Sequence, residues 1–215
     1  GKKNIEGLED RMLPENSDRA NKQKKTDIRI IIGNPPYSGA QDSVNDGNPN
    51  LKYEALDESI RNTYAAHSTA TNKTSLYNSY IRAIRWASDR IKDTGLICYV
   101  SNGYFIDSKA ADGLRYSLTK EFSSVYCFNL RGDQTNTSGE KSRQEGGKIL
   151  GSGSRSSIAI TLLVKNPAHS GPCKLYYHDI GDYLTREQKL DIISKFGSFT
   201  EIPWVSITPN ADHDW

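Results

Sequence analysis

Ile28-Arg29-Ile30-Ile31-Ile32-Gly33-Asn34-Pro35-Pro36-Tyr37 is the stretch from which the fold follows. An apolar run of strand length stops at a glycine, and two prolines forbid its continuation, because neither donates to a ladder and each fixes its φ. The residue before each proline is pushed to extended backbone. The product is a stiff, extended edge at the C-terminal end of a strand, with carbonyls that have no local donor. An amide at Asn34 and a phenol at Tyr37 flank it, a shape suited to a flat group bearing an NH2. Such an amine is a poor nucleophile because its lone pair is delocalised. The Asn34 side-chain oxygen and the Pro35 carbonyl can each accept one N–H and so aim the lone pair, while Tyr37 can stack on the ring. The gain comes from orientation and electrostatics rather than from a strong base. The plain alternative is a Pro-Pro turn with no chemical role.

The 215 residues suffice for one domain, or one with a small appendage. A formal net charge of +2 neither demands nor excludes a nucleic-acid partner. The sequence shows no apolar run of membrane-spanning length and no signal-peptide pattern. Of the three cysteines, Cys98 and Cys127 lie inside strand-like runs, and none forms a Cys-x-x-Cys pair with another or with Cys173. They read as free thiols of a cytoplasmic protein, and no metal site is expected. The four histidines, His67, His169, His178 and His213, are scattered and carry no predicted role.

Residues 1–26 are rich in charge and asparagine and read as a linker or an edge of the chain. A strand is expected at Asp27–Gly33. After the polar stretch Ser38–Asn50 comes a helical pattern at Leu56, Ile60 and Tyr64. Asn72-Lys73-Thr74-Ser75 offers an N-cap for a stronger helix whose inner face is Tyr77, Tyr80, Ile81, Ile84, Ala87 and Ile91, with Gly95 as its C-terminal cap. Leu96–Val100 is a continuous apolar run, as in a strand buried on both faces. A helix then starts at Asp107 or Ser108, with Ala111, Leu114, Leu118 and Phe122 facing inward. Strands follow at Ser124–Leu130 and Ile158–Val164, separated by a long Gly/Ser-rich loop from Arg131 to Ser157. Leu175–His178 reads as a short strand, and Thr185-Arg186-Glu187-Gln188 as a capping box for a helix ending at Phe196 before Gly197. Strands alternating with helices imply an α/β sheet.

The order of these parts, from Asp27 to Lys165, resembles that of the S-adenosylmethionine-dependent amino-methyltransferases, above all the N6-adenine DNA methyltransferases, whose catalytic loop has the Asn-Pro-Pro-Tyr pattern. Gly95–Ser101 resembles their fifth strand, with Ser101-Asn102 where members often have a proline. Ser124–Leu130 and Ile158–Val164 resemble their final antiparallel pair. The resemblance implies the C-terminal half of a Rossmann-like S-adenosylmethionine-dependent methyltransferase sheet over residues 27–165. It implies Asn34, Pro35, Pro36 and Tyr37 as catalytic residues, with Asn34 also touching the cofactor. The loop between the last two strands often carries an aromatic residue that stacks on the flipped base; here Ile149 or Leu150 stands where a phenylalanine is sought. Lys141, Arg143, Lys148 and Arg155 in that loop are candidates for DNA phosphates, the alternative being a solvated loop.

The family's cofactor site rests on a Gly-rich turn and an acid that precede the catalytic loop, and the residues before Asn34 contain no such turn. The chain is therefore expected to be a piece of a longer protein, inactive by itself and binding S-adenosylmethionine weakly or not at all. Ile28–Ile32 is then expected to be an unprotected sheet edge. Residues 166–215, with Ile202–Asn210 and Asp212-His213-Asp214-Trp215, resemble the junction to a target-recognition region in large single-chain bacterial restriction–modification proteins with helicase-like and methyltransferase modules. Double-stranded DNA and the upstream regions of the parent chain are the expected partners. Two other functions stay open: a non-catalytic DNA-recognition or structural module of a restriction complex, and a protein-glutamine N5-methyltransferase.

Overall fold

The computed structural model describes residues 14–36, 53–150 and 155–215. In chain order the elements are α1 (Pro14–Lys25), β1 (Ile30–Gly33), α2 (Glu54–Ile60, prolonged by a π turn Arg61–Ala65), a 3-10 turn Thr74–Tyr77, α3 (Ser79–Arg90) and β2 (Gly95–Asn102). A 3-10 turn Lys109–Ala111 leads into α4 (Asp112–Glu121), β3 (Ser124–Arg131), α5 (Gly139–Glu145) and β4 (Ile158–Lys165). The chain closes with β5 (Lys174–Asp179), α6 (Arg186–Phe196), a 3-10 turn Phe199–Glu201 and β6 (Val205–Ile207).

The strands form one sheet in the order β1-β2-β4-β3-β5-β6. β1 runs parallel to β2, and β3 parallel to β5. β4 lies antiparallel between β2 and β3, so the expected antiparallel pair is present. Four strands, β1, β2, β3 and β5, thus end at the same edge of the sheet.

Alternation along each strand divides the core in two. Ile31, Ile97, Tyr99, Val125, Cys127 and Leu163 share one buried cluster with the inner stripes of α3 and α4. Those stripes are largely the expected ones: Tyr80, Ile81, Ile84 and Ala87 on α3 with Ile91 just past its end, and Leu114 and Leu118 on α4, with Ala111 and Phe122 at its two ends; Tyr77, expected on the same helix, lies in the 3-10 turn before it and is half-buried. A fully buried side chain of this size contributes about 1.5–3 kcal/mol, so the two stripes hold the crossovers down. On the other face Phe128, Leu130, Ile158 and Ile180 pack with Ile192, Ile193 and Phe196 of α6. α6 opens on the expected capping box: Thr185 accepts from the Gln188 N–H at 3.3 Å, and the Gln188 side chain accepts from the Thr185 N–H at 2.8 Å. Over β1 this second face is bare, with Ile30 61% and Ile32 76% exposed.

Several expectations are corrected. The first ladder starts at Ile30, not Asp27, because Asp27 turns outward to pair with Lys92 at 2.6 Å. Gly95 is not a helix cap. It opens β2 against β1, where an added Cβ would lie 2.4 Å from the Arg29 carbonyl oxygen. Asn72 does not cap a helix: its side chain accepts from the Thr74 N–H at 3.0 Å just before a 3-10 turn whose N-cap is Lys73, and α3 starts only at Ser79. β2 is fully buried on one face only, since Leu96, Cys98 and Val100 are half-buried on the other. The stretch from Arg131 to Ser157 is not plain loop: it contains α5. Within residues 1–26, α1 is a helix; its C-terminal carbonyls at Gln23 and Lys24, and that of Thr26 just beyond, accept from Arg90. Residues 166–215 add β5, α6 and β6 to the same sheet.

Burial also sets an alkaline limit. The Cys127 thiol is wholly buried, and desolvation pushes it from 9 up to about 12, opposed by the neighbouring Thr161 hydroxyl. A pKa raised in the folded state gives stability that is complete below pH 9 and lost as pH climbs toward 12. Buried Tyr64 and Tyr80 and half-buried Tyr177 are also raised, mainly by desolvation, and act in the same direction above pH 10. The stability difference between wild type and Cys127→Ala is therefore expected to be constant below pH 9 and to shrink above it, by up to about 1.4 kcal/mol per pH unit. Denaturant melts from pH 7 to 11 measure this, and parallel curves would contradict it.

Candidate active site

At the end of β1, Pro35 is buried while Asn34 and Pro36 are exposed. Gly33 is level with Tyr99 of β2, and a Cβ on it would stand 3.0 Å from the Tyr99 ring. The small residue lets the chain pass the ring before the prolines end pairing. Tyr37 lies outside the described residues, so its expected stacking role has no structural placement here.

β2 runs three residues beyond Tyr99, to Asn102. The Asn102 side chain accepts from the Tyr104 N–H at 2.8 Å, and the Gly103 N–H donates to the Ser157 carbonyl at 2.9 Å. Arg115 of α4 is fully buried beneath this turn. Its guanidinium donates to the carbonyls of Phe105 (3.0 Å), Ser108 (2.6 Å) and His213 (2.6 Å) and to the Asp214 carboxylate (2.8 Å). The last residues of the chain are thereby tied to the turn after β2. The Asp107 carboxyl in that turn is raised, first by burial and then by the charge of Asp133, with Arg115 opposing.

β3 ends in a bulge between Asn129 and Arg131, and Arg131 takes a left-handed φ of 56°. Its guanidinium pairs with Asp179 at 2.7 Å and Asp182 at 2.5 Å. Asp133, buried just beyond, accepts from the N–H groups of Thr135 (2.8 Å) and Asn136 (3.1 Å), while its own N–H donates to Glu145 (2.9 Å). Lys189 of α6 is fully buried and donates to the carbonyls of Leu130 (2.9 Å), Glu145 (2.7 Å) and Gly147 (2.9 Å). Desolvation pushes its ammonium down to about 8. Two carbonyls of the segment 131–150 and one of β3 thus converge on one cation, which ties Glu145 and Gly147 back to the end of the strand.

The four basic candidates ride on or beside that segment. Lys141 and Arg143 are exposed on α5, and Arg143 also pairs with Glu140 at 2.6 Å. Lys148 is half-buried. Arg155 is exposed, and its carbonyl accepts from the Gln134 N–H at 2.7 Å. Ile149 and Leu150 pack into the cluster around Phe128 and Leu130. The structure therefore brings Asn34–Pro36 and the basic segment to one edge of the sheet, and engages Ile149 and Leu150 elsewhere.

Lys189 and Arg115 were not anticipated, though each has a sequence signal. Lys189 heads the stripe Lys189, Ile192, Ile193, Phe196, and Arg115 sits between Ala111 and Leu118 at helical spacing, so each cation falls on an inward face. An apolar cavity of about 270 Å³, lined among others by Cys98, Phe128, Leu162, Phe196 and Trp204, lies mid-strand under α6 rather than at the strand ends. Its walls offer packing and no catalytic group.

A family model, the Eco57I restriction-modification methylase, matches residues 2–134. The chain belongs to the Eco57I restriction-modification methylase family. Solved structures of high likeness carry the match past residue 134. A nuclease-deletion mutant of the Type ISP restriction-modification enzyme LlaGI, in complex with a DNA substrate mimic, is 52% identical with a TM-score of 0.87, over 94% of this chain and 19% of that one. The ATP-dependent Type ISP restriction-modification enzyme LlaBIII bound to DNA is 39% identical with a TM-score of 0.86, over 94% of this chain and 13% of that one. The DrdV–DNA complex is 38% identical with a TM-score of 0.83, over 94% of this chain and 19% of that one. The chain thus spans less than a fifth of the length of each. No curated protein matches it.

An Eco57I-type methylase implies S-adenosylmethionine as methyl donor. β1 is an edge strand whose outer side chains Ile30 and Ile32 face solvent, so the Asn34 end of the sheet supplies one wall only. Among the described residues no cluster of His, Cys, Asp and Glu could hold a metal ion, and no helix is long and apolar enough to cross a membrane.

Proposed function

We propose that this chain is the acceptor-holding part of a DNA adenine N6-methyltransferase within a Type ISP-like restriction–modification protein. The observation that carries the reading is the placement, at one sheet edge, of the Asn34-Pro35-Pro36 shelf and of Lys141, Arg143, Lys148 and Arg155, with Glu145 and Gly147 tied to the end of β3 by Lys189. The target adenine leaves the duplex and enters at the strand ends. Asn34 and the Pro35 carbonyl each accept one N–H of its amino group, and Tyr37 stacks on its ring. The amino nitrogen needs aiming rather than a base, because orientation alone can supply a large share of a barrier. Lys141, Arg143, Lys148 and Arg155 meet phosphates of double-stranded DNA and position it without reading sequence. The methyl donor, S-adenosylmethionine, is held by other regions of the parent protein, so this piece alone turns nothing over. Residues 166–215 lead toward a target-recognition region, helicase-like modules belong to the same parent chain, and the whole acts in the cytoplasm.

The DNA complexes of LlaGI and LlaBIII support the DNA reading by likeness. The test is transfer of tritiated methyl groups to DNA by the parent protein, with base analysis of the product. N6-methyladenine is the expected product. Label in N4-methylcytosine, in protein glutamine, or nowhere overturns the adenine assignment.

A further inference from the structure

We infer that Tyr104 is a base-contacting residue: its ring is a stacking wall for the adenine presented to Asn34 and Pro35. The inference rests on the proposed adenine reading and deepens it. An extruded base has two faces, and each gains from contact with a flat or apolar side chain. Ile149 and Leu150, the side chains sought for this purpose between β3 and β4, are engaged with the cluster around Phe128 and Leu130. Tyr104 is placed differently. It lies two residues past the end of β2, the strand paired directly with β1, so it shares the edge on which Asn34 lies.

Its ring is also exposed. Ser101, Asn102, Phe105, Ile106 and Ser108 are buried, whereas Tyr104, at 38%, and Asp107 are exposed. The face of an aromatic ring is thus open at this edge of the sheet. The backbone that carries it is also held on both sides. Its N–H donates to Asn102 Oδ1 at 2.8 Å, and its carbonyl accepts from the Ser108 N–H at 3.1 Å. Arg115 anchors the next carbonyl, that of Phe105, at 3.0 Å, and that of Ser108 at 2.6 Å. A ring on a turn fixed this way loses little freedom on binding, which is what a stacking platform needs.

The experiment uses the full parent protein and duplex DNA carrying its target site. Tyr104→Ala is expected to lower kcat/KM for methyl transfer about tenfold to a hundredfold, and Tyr104→Phe to restore most of that loss, since the ring rather than the hydroxyl does the stacking. Tyr104→Leu is expected to fall between them. With 2-aminopurine in place of the target adenine, the fluorescence of the extruded base is expected to be quenched in wild type and Tyr104→Phe and brighter in Tyr104→Ala. A merely structural role would not move that signal. Tyr104→Ala within twofold of wild type overturns the inference, as does a loss that Tyr104→Phe fails to restore. A parent protein that makes no N6-methyladenine at all overturns the adenine reading itself, which is a separate failure.

Discussion

Asn34→Ala in the parent protein is expected to lower methyl transfer by at least a hundredfold while leaving the fold as it is. The two halves of that expectation have separate causes. Asn34 follows the last ladder residue of β1 and is exposed, and substitutions at such positions change stability by about 0.5 kcal/mol or less. The amide oxygen, by contrast, is one of only two acceptors proposed to hold the amine. Removing one pre-aimed hydrogen-bonding group from a reacting centre costs about 10² to 10³ in rate. Asn34→Asp keeps an acceptor but loses the amide's NH2 and adds a charge, so its rate should lie between the two. Initial rates on target DNA, paired with circular dichroism melts, measure both halves. An alanine variant that keeps more than a tenth of the rate would remove Asn34 from the catalytic role.

The second large effect is expected at Lys189. Lys189→Met should speed hydrogen exchange in residues 131–150 roughly a hundredfold, because the cation is the common partner of the Leu130, Glu145 and Gly147 carbonyls. Opposing magnitudes decide the sign. Burial lowers the lysine from 10.5 to about 8, which corresponds to a cost of about 3 kcal/mol that methionine would relieve. Three stranded buried carbonyls lose about 1–3 kcal/mol each. The carbonyls outweigh the relief by about 3 kcal/mol, and by linkage of opening to exchange that is the hundredfold. The other ties of this segment, such as Gly147 N–H to the Leu184 carbonyl at 2.8 Å and Tyr183 N–H to the Gln144 carbonyl at 3.0 Å, keep α5 attached, so the effect should be local. Exchange measured by mass spectrometry on the parent protein reads this directly. Unchanged protection over 131–150 would show that the lysine is incidental to the segment's order.

Much of the framework was legible in the sequence because its signals are local. The inner stripes of α3 and α4 follow from helical spacing, and the α6 capping box and Gly197 stop follow from side chains within four residues of each other. The resemblance to amino-methyltransferases correctly placed Ser124–Leu130 beside Ile158–Val164. The misreadings have one cause in common. Gly95 looks like a helix stop from its neighbours, yet the constraint on it is the Arg29 carbonyl of a different strand. α5 is short and polar, without a buried residue of its own, so no periodicity marks it; it is held from outside through Glu145 and Tyr183.

The Asn34-Pro35-Pro36 shelf and its place after a strand were determined by sequence alone, since proline geometry acts on adjacent residues whatever the rest of the chain does. What only the tertiary structure decided is what stands around it. Residues 98 positions apart, Arg115 and His213, become partners; Lys189 reaches back 59 positions to Leu130; and Tyr104 comes to share an edge with a loop some seventy residues earlier. A buried cation declares its helix face in the sequence but not its acceptors, because backbone carbonyls are the same at every position and only the folded path selects which of them converge.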